Sequence, residues 1–153
     1  MSPAADAWIA LTKQDAVTPE AATAAFAALP PVTASFMTRG AGEWQGADLP
    51  TGHPTRQKMV ELNWAGKTFR SAEDVDPIVV YDADGKRRWN ADWGHSRLRE
   101  MKFGEDNTVA MLYDDFPIID YFRYVNEDLV AGAMDSKKMN SFGTYYFYLK
   151  RLS

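Results

Sequence analysis

The chain has 153 residues, room for one ordinary domain but not for two comfortable ones. Hydrophobic residues at 46% and charged residues at 25% exclude wholesale disorder. The absence of Cys excludes disulfide scaffolds, thiol catalysis and Cys-ligated metal centres. A net charge of −4 leaves no electrostatic footprint for a nucleic-acid backbone or an anionic membrane surface.

The compositional outlier is aromatic. Five Trp, seven Tyr and eight Phe make 13% of the chain, more than a core of this size requires. No apolar run approaches the ~20 residues of a membrane span, and Met1 to Asp15 has no signal-peptide pattern. A cytoplasmic protein, monomer or homodimer, is expected. It reads as a single domain over 1–153.

Residues 1–17 are Ala-rich and read as either helical or loose. Thr18-Pro19 is a helix start, with Thr as cap and Pro in the first turn, and Pro30-Pro31 is a stop, so a helix spans 18–30. Phe26 and Phe36 are expected to seat it. Gly40, Gly42 and Gly46 bracket Trp44, and Leu49 to Pro54 is a turn-rich loop. Thr55 to Leu62 reads as a short helix.

From Trp64 onward the texture is β. Ile78–Tyr81 and Arg87–Asn90 flank an Asp-Gly hairpin turn. Arg97–Phe103, Thr108–Tyr113, Ile118–Val125, Leu129–Met134 and Thr144–Arg151 follow at short, regular spacing. The whole predicts a mainly β fold: a small antiparallel lipocalin-like β-barrel over 40–151, an N-terminal helix, and a short helix after the first strand. Within Ile118 to Val125, Asp120, Phe122 and Tyr124 share one face, and Tyr121, Arg123 and Val125 the other. Both faces are largely apolar, as in a sheet lined on one side and covered by a helix on the other.

Asp120 sits mid-strand among apolar neighbours, where burial raises a carboxyl pKa toward acid–base use; equally, buried carboxylates serve as structural partners. His53 is a second proton-transfer candidate or a turn-fixing hydrogen bonder, and His95 a weaker one. Arg123 is a candidate anion clamp or an outward ion pair. Asp82-x-Asp84-Gly85 lacks the distal Glu of a calcium loop, so no metal is expected. Trp44 with Arg151 matches the pairing of lipocalin-like barrels, in which a basic side chain of the last strand stacks on a Trp of the first.

Gly42-Glu43-Trp44-Gln45-Gly46, then Pro50-Thr51-Gly52-His53-Pro54 and Trp64-Ala65-Gly66-Lys67-Thr68-Phe69, resembles the family called after its GxWxG motif. Tyr113-Asp114, Pro117 to Arg123, Val130 to Asp135 and Tyr146 to Leu149 are similar to its companion, domain of unknown function 4334. The resemblance covers roughly residues 22–151. It implies a compact barrel-like domain generally without assigned activity, with His53, Lys67, Tyr113, Asp120 and Arg123 as the matching polar positions. Asp76 departs from an expected His, and 78–103 is shorter than expected. The opening is also similar to nitrobindin-type haem barrels, which ligate iron through a late His; none follows His95 here, so no cofactor is expected.

Two functions stay open. One is a cofactor-free enzyme acting by acid–base proton transfer on a small hydrophobic or aromatic molecule, of isomerase, lyase or decarboxylase, or cyclase type. Asp120, His53 and Lys67 would be catalytic, with Arg123, Tyr113, Tyr121, Phe122, Tyr124 and Trp64 binding the ligand. The other is a non-catalytic carrier or sensor of a lipophilic ligand. An interaction module is the remaining reading.

Overall fold

A computed structural model describes residues 2–152. Helix α1 (Pro3–Thr12) opens under a Ser2 cap and α2 (Pro19–Ala27) under Thr18, whose hydroxyl accepts from the Ala21 amide at 3.1 Å. The Ala-rich opening is therefore helical. A one-turn helix, α3 (Ala34–Thr38), precedes β1 (Glu43–Asp48); α4 (Thr55–Leu62) separates β1 from β2 (Trp64–Ser71). The remaining strands are β3 (Asp74–Tyr81), β4 (Arg87–Trp89), β5 (Ser96–Phe103), β6 (Asp106–Tyr113), β7 (Ile118–Asn126), β8 (Leu129–Ser136) and β9 (Tyr145–Arg151).

All nine strands are antiparallel members of one mainly β sheet, ordered β2-β1-β9-β8-β7-β6-β5-β3-β4. A further β2–β3 pairing curves the sheet into a ring of eight strands, with β4 paired to Val79–Tyr81 of β3 on the edge that β5 meets at Val75. The seam between β3 and β5 rests on a single register pair, Val75 with Ser96. Ring closure removes edges that an open sheet of this length would leave unpaired.

Two apolar clusters occupy the two faces. Outside the ring, Trp8, Leu11, Phe26 and Leu29 of the helical segment pack on Tyr121, Val125, Tyr146 and Tyr148. Inside, Trp44, Phe69, Leu98, Met111, Phe122, Phe147 and Leu149 fill one end. The alternation along β7 accounts for the division: Asp120, Phe122 and Tyr124 face inward, Tyr121, Arg123 and Val125 outward beneath the helices. Phe26 seats α2 as expected. Phe36 does not: from α3 it packs on Trp44 and Tyr124 at 6.0 and 5.5 Å and helps to close the ring's end.

The Gly-x-Trp-x-Gly spacing has a physical reason at each position. Gly42 has φ +68°, and a Cβ there would run into the Phe69 carbonyl of β2. Trp44 is fully buried and donates its indole N–H to the Met37 carbonyl at 3.0 Å. Arg151, its register partner on β9, stacks its guanidinium 4.3 Å from the Trp44 ring. Gly46 leaves its side-chain space to the Trp64 ring. The motif thus seals one end of the ring and seats a Trp at the wall of the other.

Candidate functional site

Opposite the Trp44 plug, the ring interior stays open as a cavity of about 320 Å³. Trp64, Lys67, Ile78, Tyr113, Asp120, Tyr145 and Phe147 line it from the strands. Met59 and Lys58 of α4, Trp93 of the short turn Ala91–Trp93, and Met139 of the β8–β9 connection line it as well. The lining is overwhelmingly apolar, as small-molecule sites usually are.

Lys67 and Asp120 meet across the full width of the ring. Three strands separate β2 from β7 in either direction around the circuit. Each residue lies two positions before a Phe on the same inward face, Phe69 and Phe122, whose rings pack at 5.8 Å. The charged pair therefore forms the layer immediately above an aromatic layer, at the cavity floor. Lys67 Nζ lies 3.1 Å from Asp120 Oδ2 and donates to the Pro77 carbonyl at 2.9 Å. It also sits 5.3–5.7 Å from the centroids of Trp64, Tyr113 and Phe147.

Both charged side chains are 3% exposed. Asp120 Oδ1 is buried and has no hydrogen-bond partner. Burial pushes the Asp120 carboxyl up and the Lys67 ammonium down, and their mutual attraction opposes both shifts. The pair thus lies closer to sharing a proton than an exposed Lys–Asp pair does. Burial, with the Asp120 charge nearby, holds the Tyr113 phenol well above its ordinary range. Tyr113 is therefore a hydrogen-bond donor at neutral pH. Tyr145 is committed elsewhere, donating to Asp48 Oδ2 at 2.7 Å, and Arg56 of α4 reaches the other Asp48 oxygen at 3.6 Å.

The remaining predicted residues lie as follows. Trp64 is in the wall, its indole N–H bonded to the Gly66 carbonyl. Phe122 lies beneath the pair, and Tyr124 lies toward the closed end, its hydroxyl on Glu127. Tyr121 is on the outer face under the helices, 4.9 Å from Phe103. Arg123 is there too: it donates to the Leu29 and Phe103 carbonyls at 2.7 and 2.9 Å and pairs with Asp106 at 3.2 Å. Neither of these two touches the cavity; Arg123 bolts the end of the α2 segment to the sheet.

His53 is buried beside the cavity rim rather than in its lining. Its Nδ1 accepts from the Thr55 amide at 3.1 Å, so Nε2 carries the proton that reaches the Gly143 carbonyl at 3.2 Å. Pro54 provides no side-chain cap to α4, and His53 takes that place while clasping the β8–β9 connection. Burial lowers its pKa, in keeping with the neutral ring this geometry requires.

His95, Asp74 and Asp76 gather on the outer surface within 4.8 Å of one another. Arg70 occupies that cluster: it bonds both Asp74 oxygens and both Asp76 oxygens, while His95 Nδ1 contacts Asp76 at 3.0 Å and stacks on Trp89. The departure at Asp76 thus supplies an ion pair outside the ring.

Cavity residues that the sequence did not single out include Thr55, Lys58, Met59, Ile78, Trp93, Ile118, Met134, Ser136 and Met139. Tyr145 and Phe147 belong to an aromatic run whose alternation marks them as a pair on one face. Ile78, Ile118, Met134 and Ser136 are strand residues, and Ile118 shares the alternating face of Asp120; Met59, Trp93 and Met139 come from helix, turn and loop, where no strand alternation marks them.

Fold and site together define a class: a small antiparallel ring with one end plugged by Trp44 and an apolar cavity floored by a buried Lys–Asp pair. Residues 24–85 match the GXWXG protein family, and residues 94–151 match the domain of unknown function DUF4334. The chain belongs to this GXWXG–DUF4334 family. A crystal structure of a protein from Thermomonospora curvata is 31% identical, with a TM-score of 0.90, covering 99% of this chain and 100% of that one. No curated protein matches the chain. No helix among the described residues is long and apolar enough to cross a membrane.

Proposed function

We propose that the chain is a cofactor-independent enzyme that moves a proton on a small hydrophobic or aromatic molecule held in the ring cavity. The observation that carries this reading is the Lys67–Asp120 pair at the floor of an otherwise apolar cavity, with one carboxylate oxygen left without a partner. A purely structural ion pair gains most when every lone pair is satisfied. Asp120 Oδ1 is left free to take a proton from a bound molecule and return it at a second position, with Lys67 compensating the charge change. Tyr113 donates to an oxygen on which negative charge develops. Isomerisation, elimination and cyclisation share these proton movements. The Cys-free composition suits a reducing cytoplasmic setting.

The test is a screen of small carbonyl, allylic and hydroxylated compounds of aromatic or terpenoid type in deuterated water. New products and deuterium at carbon are read by mass spectrometry. The reading requires at least one compound that the native chain converts and Asp120→Asn does not. The apolar walls also support a carrier or sensor of a lipophilic ligand. Tight binding, with no Asp120-dependent conversion of any bound compound, selects that second reading.

A further inference from the structure

We infer that the cavity selects an uncharged molecule carrying a single hydroxyl-type donor on an apolar body, and rejects carboxylates. The inference rests on the reading of this cavity as the functional site and adds the chemical class of what enters it. Three observations carry it.

The first is charge balance. Among the described residues, the cavity lining holds two cations, Lys67 and, on the α4 rim, Lys58, and one anion, Asp120, which is paired with Lys67 at 3.1 Å. Two of the three Lys67 N–H groups are spoken for by Asp120 Oδ2 and the Pro77 carbonyl, and the ammonium is ringed by Trp64, Tyr113 and Phe147. An entering carboxylate meets no free counter-charge. It also meets the Asp120 carboxylate beside the Lys67 ammonium, so its desolvation is not repaid.

The second is the orphan acceptor. Asp120 Oδ1 is buried without a partner, and an ionised carboxylate oxygen can only accept. A donor on the occupant, a hydroxyl, a phenol or an enol, would satisfy it. A pure hydrocarbon leaves it unsatisfied.

The third is size. A cavity of about 320 Å³, at roughly 30 Å³ per water-sized unit, takes a body of about ten non-hydrogen atoms. Its polar lining groups are the Lys67–Asp120 pair, Tyr113, Ser136, Thr55, Lys58 and Tyr145, whose hydroxyl is taken by Asp48; the rest of the wall is aliphatic and aromatic. The occupant is thus one polar head on an apolar body, head down on the Lys–Asp floor.

Three probes of matched shape test this: 3-phenylpropan-1-ol, 3-phenylpropanoate and propylbenzene. Affinities are measured by calorimetry and ligand-observed NMR on the full chain. The alcohol is expected to bind best, with the carboxylate at least about tenfold weaker and the hydrocarbon several-fold weaker. Asp120→Asn frees the Lys67 charge and is expected to reverse the order, placing the carboxylate ahead of the alcohol. Should that variant not fold, the double variant Lys67→Met/Asp120→Leu removes both charges; in it the alcohol is expected to lose its advantage over propylbenzene.

A carboxylate that binds the native chain as well as the alcohol overturns the inference, as does failure of all three probes to bind up to their solubility limits. Failure of the catalytic reading looks different. Alcohol preference with no turnover of any hydroxylated compound leaves the ligand class standing and removes the enzyme, whereas turnover of a carboxylate substrate removes the ligand class and keeps the enzyme.

Discussion

Lys67 of β2 and Asp120 of β7 stand on opposite sides of an eight-stranded ring, and their charged atoms meet at 3.1 Å in its interior. The pair closes the cavity from below and supplies its titratable groups. The following expectations come from it and from the contacts that shape the cavity around it.

Removing one partner is expected to be costly and removing both mild. Lys67→Met leaves a buried carboxylate without compensation and is expected to destabilise the fold by about 3–5 kcal/mol. Lys67→Met/Asp120→Leu leaves no buried charge and is expected to recover most of that loss. Urea denaturation of the native, single and double forms measures both. A single variant no less stable than the double would contradict the interior position of the pair.

His53 gives the fold a defined pH dependence. Its pKa is lowered in the folded chain, so between that value and the ordinary ~6.5 the unfolded chain binds more protons. The His53 contribution is therefore present above pH ~6.5 and is lost as pH falls through that window. Protonation of Nδ1 also removes the acceptor of the Thr55 amide and with it the cap on α4. His53→Ala is expected to cost about 1–2 kcal/mol at pH 8 and to flatten the stability profile below pH ~6.5. Stability measured across pH in both proteins checks the sign.

Arg151 closes the other end. Its guanidinium lies over Trp44 and Phe36 and donates to the Phe36 and Glu127 carbonyls. Arg151→Met keeps the aliphatic stem and loses these contacts, with an expected cost of about 1–3 kcal/mol and a changed Trp fluorescence spectrum. An unchanged spectrum would show that the stack does not persist in solution.

Gly46 tests the cavity wall. An added methyl meets the Trp64 ring, and Trp64 lines the cavity. Gly46→Ala is expected to cost about 1–3 kcal/mol by overpacking and to weaken binding of 3-phenylpropan-1-ol. Denaturation and calorimetry on the same preparation separate the two effects.

Much of this was legible in the sequence because it is periodic. The alternation in Ile118 to Val125 separates Asp120 from Arg123, and the structure puts one inside the ring and the other beneath α2. The assignment of Arg123 and Tyr121 to a ligand has a physical source. Both faces of that strand are apolar, so composition does not say which one meets a cavity and which a helix. The Trp44–Arg151 stack was legible from its two ends, since first and last strands are neighbours once the sheet closes. The Lys67–Asp120 pairing was not. It joins strands that share no hydrogen bond, and it depends on the register of every strand between them. The α4 and β8–β9 contributions to the rim were equally hidden, because Met59 of α4 and Met139 of the β8–β9 connection reach the cavity through the placement of elements outside the ring rather than through strand alternation.

The central claim is that Asp120 is poised to exchange a proton rather than locked as a permanent ion. Carbon-13 NMR of the side-chain carboxyls, assigned by comparison with Asp120→Asn, reads this directly. The account predicts an Asp120 carboxyl that titrates above the ordinary carboxylate range, because burial outweighs the attraction of Lys67. An Asp120 signal that titrates at or below ~3.9 would contradict it and make the pair a fixed strut across the ring.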